Sequence, residues 1–155
     1  MKNARKQSSN LRQRLPFLLA GVAIVLSLVF VSSGPVSAEG ALAIGLPADV
    51  AKEGVAFGYA VSFASQEKAQ ATAMEYCRTT KDSTDAARAL CKVVETFRGQ
   101  CLSISMDPQA GTPGVGWAVA ATKPEAEQRA LSACVATAGE GRRGACRISI
   151  SVCDK

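Results

Sequence analysis

The sequence predicts an α+β domain: two tandem strand-strand-helix-strand modules related by pseudo-two-fold symmetry, with helices packed on antiparallel sheet and the whole stapled by disulfides. Three observations predict it. The stretch GYAVSFASQEKAQATAMEYC at 58–77 returns as GWAVAATKPEAEQRALSAC at 116–134. Each copy passes from an alternating apolar pattern to a helical one. The chain also holds six cysteines, all within or beyond the first copy, and no histidine.

Ahead of that unit, Lys2, Arg5, Lys6, Arg12 and Arg14 form a basic segment without an acid, and residues 15–31, LPFLLAGVAIVLSLVFV, carry no charge. This is the pattern of a secretory leader. Val36 and Ala38 put small residues at the two positions a signal peptidase reads. The expectation is therefore a signal peptide over 1–38, cleaved after Ala38, and a single domain over 39–155. An uncleaved anchor is the competing reading, because 17 apolar residues reach the lower end of what crosses a bilayer. The A-x-A-like site favours cleavage, after which no stable membrane span remains.

The leader holds five of the 18 Lys and Arg and none of the acids, so the remainder balances 13 cations against 13 carboxylates. The net charge of +5 thus reports targeting, and no nucleic-acid partner is expected from it. The 117 residues that remain can bury one core but not two.

Within this domain the repeats run over 41–98 and 101–153. Each opens on a short apolar run, ALAIGL at 41–46 and CLSISM at 101–106, aligned as first strands. Phe57, Tyr59, Val61 and Phe63 then alternate with Gly58, Ala60 and Ser62, and Val115, Trp117, Val119 and Ala121 repeat the pattern, which is a second strand. Next, Ala69, Ala73, Met74 and Cys77 share one helical face and align with Ala126, Ala130, Leu131 and Cys134 at a constant offset of 57. Ser65 and Thr122 stand where N-caps belong. Thr122 adds Glu125 for a capping box, and Pro124 suits the first turn. Polar linkers follow each helix, with a further helical turn expected in TDAARAL. The closing strands are CKVVETF at 91–97 and CRISISV at 146–152.

Tyr59 and Trp117 share a face with Val61 and Val119, and their expected place is against the Ala-lined helices rather than on a ligand platform. Gly58, Ala60, Gly116 and Ala118 on the opposite face call for a close neighbour, either a second layer or a partner.

Six cysteines alone leave the connectivity open, but an even number in an exported chain points to disulfides. The repeat narrows the choice. Cys77 with Cys91 and Cys134 with Cys146 occupy equivalent positions, each tying a helix end to the next strand. Cys101 and Cys153 are left to pair, and their first-module counterparts, Ala41 and approximately Arg98, both lack sulfur.

The segments GYAVSFASQEKAQATAMEYC, CKVVETFRGQC, GWAVAATKPEAEQRALSAC and CRISISVC resemble an exported bacterial family known only as domain of unknown function 4189, across 41–153. The resemblance implies a secreted or periplasmic disulfide-bearing domain with no established catalytic activity. It carries no functional residues across.

Motifs that mimic chemistry have plainer roles. Ser65-Gln66-Glu67-Lys68 fits S-x-x-K, but the companion elements of penicillin-binding enzymes are missing, and Thr122 in the same place marks a helix cap. Gly139-Glu140-Gly141-Arg142-Arg143-Gly144 fits G-x-G-x-x-G, yet it follows a helix and precedes a strand, the reverse of a dinucleotide site. Arg142, Arg143 and Arg147 form a local basic cluster that could grip an anion or an acidic partner.

Without histidine there is no ordinary triad, and with all cysteines bonded there is no thiolate. Glu125 and Glu127 face different sides of a helix, and the acids have no Ca-loop spacing. No cofactor, metal site or catalytic residue is expected. The leading expectation is a non-catalytic interaction or effector domain, secreted or in the periplasm or envelope, acting on an unidentified protein or envelope component. An alternative is an inhibitor or immunity-type protein that plugs an envelope enzyme with a protruding loop such as DPQAGTPGV at 107–115. A hydrolase would need a cleft gathering at least two carboxylates.

Overall fold

The computed structural model describes residues 38–154. The expected leader, apart from Ala38, lies outside the described residues. In chain order the elements are β1 (Glu39–Gly45), α1 (Val50–Glu53), β2 (Ala56–Phe63), α2 (Gln66–Thr79), α3 (Asp85–Ala89), β3 (Lys92–Arg98), β4 (Cys101–Met106), β5 (Val115–Ala120), α4 (Lys123–Thr137) and β6 (Arg147–Cys153). They form two antiparallel three-stranded sheets, ordered β2-β1-β3 and β5-β4-β6. Each module is the expected strand, strand, helix and strand.

Local chemistry starts the helices where the sequence places them. The Ser65 Oγ accepts from the Lys68 N–H at 3.4 Å, and the Thr122 Oγ1 accepts from the Glu125 N–H at 3.4 Å. The capping box at α4 is only half made, because the Glu125 carboxylate turns to Arg129, 2.5 Å away. Helix α3 fulfils the turn expected in TDAARAL, with Thr84 as its cap. Helix α1 has no counterpart in the sequence reading; Asp49 caps it through the Lys52 N–H at 3.0 Å.

Helices and sheets stack as helix, sheet, sheet, helix. On one side Ala41, Ala43, Ala56 and Ala60 of the first sheet bury against Ala69, Ala73 and Cys77 of α2. Between the sheets lie Leu42 and Ile44 of β1 and Leu102 and Ile104 of β4, with Phe57, Tyr59, Trp117 and Val119 packed around them.

The aromatic residues therefore point away from the helices, which corrects the expectation for Tyr59 and Trp117. Backbone proximity explains it. A Cβ on Gly58 would stand 2.0 Å from the Ala73 O and 2.2 Å from the Cys77 N, and one on Gly116 would stand 2.2 Å from the Cys134 N. A helix packed this closely admits only small residues beneath it, Gly and Ala in the first sheet and Ser103 and Ser105 as well in the second, so the large side chains take the other face.

Strand register also corrects the alignment of the first strands. Leu42 pairs with Tyr59 and Ile44 with Phe57, while Ile104 pairs with Trp117 and Met106 with Val115. Residues 39–44, EGALAI, therefore lie over CLSISM, and the counterpart of Cys101 is Glu39 rather than Ala41. A slip of two residues keeps every side chain on its own face, so alternation could not reveal it. Opposite Glu39 stands Arg98, as Cys153 stands opposite Cys101. The Glu39 and Arg98 side chains form an ion pair. One module thus has a salt bridge where the other has a disulfide.

The disulfides join Cys77 to Cys91, Cys134 to Cys146 and Cys101 to Cys153. The first two fasten α2 and α4 to the strands that follow them. The third crosses β4 and β6 and closes the longest loop, 52 residues apart in sequence. In the chain-entropy account such a closure stabilises by about 4 kcal/mol.

Candidate functional site: a cleft between the modules

A cleft of about 940 Å³ opens where the β1–β2 connection of the first module meets the β4–β5 connection of the second. Its apolar lining comes from Val55, Phe57 and Tyr59 of the first module and Met106 and Ile150 of the second. Tyr76, 55% exposed on α2, stands at its edge. A lining of aromatic and aliphatic groups with a few polar ones around it is the usual make-up of a binding cleft.

Both walls are held by hydrogen bonds. On the first, the Thr84 hydroxyl donates to the Glu53 O at 2.6 Å and accepts from the Ala87 N–H at 3.2 Å, so one side chain joins the end of α1 to the start of α3. On the second, the Asp107 N–H donates to the Gly114 O at 2.9 Å and closes the base of the 107–114 loop. Inside the loop the Gln109 N–H donates to the Asp107 Oδ1 at 3.0 Å, and the Thr112 hydroxyl donates to the Gln109 O at 2.7 Å. The loop lines the cleft, with its tip over Pro108–Gly111 exposed.

Arg142 completes this wall. Its Nε reaches the Asp107 Oδ2 at 2.7 Å and its Nη2 the Asp107 Oδ1 at 2.6 Å, a two-pronged contact with a carboxylate whose side chain is fully buried. The Arg142 fork, followed by the Gln109 N–H, lowers the Asp107 pKa to about 2, against the opposing effect of burial. The same contact raises that of Arg142.

The three arginines singled out in the sequence are thus placed differently from one another. Arg142 is engaged by Asp107. Arg147 lies exposed at the start of β6, and its Nη1 donates to the Gly144 O at 2.8 Å and the Cys146 O at 2.7 Å. Arg143 is exposed in a 3-10 turn over Arg143–Ala145.

Three carboxylate residues, Glu53, Asp82 and Asp107, line the cleft. Asp107 stays ionised near neutral pH, with its oxygens taken up by the Arg142 fork and the Gln109 N–H, so it has no proton to give. Among the described residues no group of three or more His, Cys, Asp or Glu is arranged to hold a metal ion. Likewise, no helix among them is long and apolar enough to cross a membrane. Asp107 escaped sequence reasoning. Its signal was the Asp-x-Gln step that opens a polar, Gly- and Pro-containing loop, where an Asp side chain folds back onto the backbone two residues on.

A family model described as "Domain of unknown function (DUF4189)" matches residues 40–153. No curated protein and no solved structure matches the chain.

Proposed function

Because the chain belongs to the DUF4189 family, whose description stops at unknown function, we propose a role from its geometry: an exported, non-catalytic interaction domain that holds a protein or envelope partner in the cleft between its modules. The observation that carries this reading is the cleft itself, an aromatic and aliphatic lining held between walls fixed by hydrogen bonds. Fixed walls lower the ordering cost of binding. Three disulfides agree with a location outside the reducing cytoplasm, in the periplasm, envelope or medium. An effector directed at a host or competitor fits the same geometry. Sequestration of Asp107 by Arg142 removes one of the cleft's carboxylates from acid–base work.

The test is capture from envelope and host extracts by the oxidised protein, compared with Tyr76→Glu, which places a charge at the cleft's edge. A partner retained by the parent and lost by Tyr76→Glu is the expected result. A partner held equally by both, or turnover of a substrate by the purified protein, would overturn the reading. The N-terminal residue of exported material should be Glu39, and Met1 would refute removal of the leader.

A further inference from the structure

The two modules differ at one edge. In the second, the Val115 N–H donates to the Thr137 Oγ1 at 2.9 Å, and that hydroxyl lies 2.7 Å from the Val115 O. Val115 therefore turns both backbone groups outward from the sheet, and the end of α4 closes them. Val115 pairs with Met106 as Phe57 pairs with Ile44, so Phe57 turns the same two groups outward. Two residues on, Tyr59 does so as well. The counterpart of Thr137 is Thr80, but α2 stops one residue earlier in register. Thr80 leaves the helix with ψ 135, and its carbonyl accepts from Arg88. Among the described residues no side chain closes the backbone of Phe57.

This open edge faces the cleft, which Phe57, Gly58 and Tyr59 all line. Strand β2, AFGYAVSF, has no charge and no proline to discourage pairing, whereas β3 carries Lys92, Glu95 and Arg98. Exposed edges are ordinarily blunted by such residues. With Asp107 neutralised by Arg142, the remaining charges lining the cleft are Glu53 and Asp82 against Lys52. The surplus is acidic.

Building on the cleft reading above, we propose that β2 takes an extended polypeptide segment of a partner as a fourth strand. The segment pairs its backbone with Phe57 and Tyr59 and alternates apolar with basic side chains. Backbone hydrogen bonds supply affinity, and the cleft selects the side chains on one face.

The probe is the acetylated and amidated peptide KVTVKVTVK, titrated into the oxidised protein and followed by amide NMR. The Phe57 and Tyr59 resonances should shift, and their exchange with solvent should slow about tenfold on saturation. N-methylation of one alternate set of peptide nitrogens should abolish binding, and methylation of the intervening set should not. If both methylated peptides bind, strand addition is overturned while a side-chain cleft survives. No shift up to about 1 mM peptide overturns the inference and leaves the cleft to the capture experiment. Shifts that depend on protein concentration without peptide make the occupant a second copy and also overturn it. Equal binding of an EVTVEVTVE peptide overturns the assignment of a basic partner.

Discussion

Gly58 and Gly116 set the distance between each helix and its sheet, because the helix backbone occupies the space a side chain would need. Gly116→Ala is expected to cost about 1–3 kcal/mol through overpacking against α4. Gly144, with nothing within 4 Å of its added Cβ and no positive φ, is the control; Gly144→Ala should be neutral or slightly stabilising. Denaturation midpoints at constant slope check both. Asp107 makes a second prediction, in pH. Its folded pKa lies at about 2 against the ordinary 3.8, so the unfolded state binds its proton first as pH falls. Its contribution is fully present above about pH 4 and is lost as pH drops towards 2. Asp107→Asn should remove that part of the acid limb, and acid titration of stability should show a shallower fall in the variant. An unchanged slope would mean that Arg142 gains nothing from the charge.

At the scale of elements, the equivalence of the Glu39–Arg98 ion pair and the Cys101–Cys153 disulfide is a structural experiment already half performed. The two pairs hold matching register positions across β1–β3 and β4–β6. Glu39→Cys combined with Arg98→Cys should therefore close a fourth disulfide, detectable as a loss of two mass units and of two free thiols. By the chain-entropy estimate it should stabilise by up to about 4 kcal/mol, and retention of both thiols would contradict the equivalence. Much of the element order was legible, since alternation and helical period are local signals. Ala69, Ala73 and Cys77 declared their face through spacing alone. Register was not, because sliding β1 by two residues leaves its alternation intact. Nor was the cleft, which depends on where two connections meet in space. One clue was present and unread. Six steps separate Tyr59 from Ser65, but only five separate Trp117 from Thr122. The extra residue is accommodated as a bulge at Ser62, the one non-glycine with positive φ among the described residues.

That bulge matters to the whole molecule, because its freed backbone group is what the second module grasps. The Asp154 carboxylate, buried to 3% exposure just after β6, accepts from the Ser62 N–H at 2.7 Å and the Gly99 N–H at 3.1 Å. Its own N–H donates to the Gln100 O at 2.8 Å. Leu42 and Ile44 against Leu102 and Ile104 supply the apolar cohesion between sheets, which is non-directional. The Asp154 bonds supply direction, since they fix one end of β6 to the bulge in β2 and to the β3–β4 turn. Asp154→Ala would leave two donors without their acceptor, at about 1–3 kcal/mol for a buried one. Because the Cys101–Cys153 disulfide holds β6 to β4 regardless, the variant should stay folded and loosen locally. Hydrogen exchange should therefore accelerate at Ser62 and Gly99 far more than at Leu42 or Leu102 in the central strands. Uniform acceleration across both sheets would mean that the carboxylate sustains global stability instead. No change at Ser62 and Gly99 would mean that the sheet interface alone sets how the modules sit.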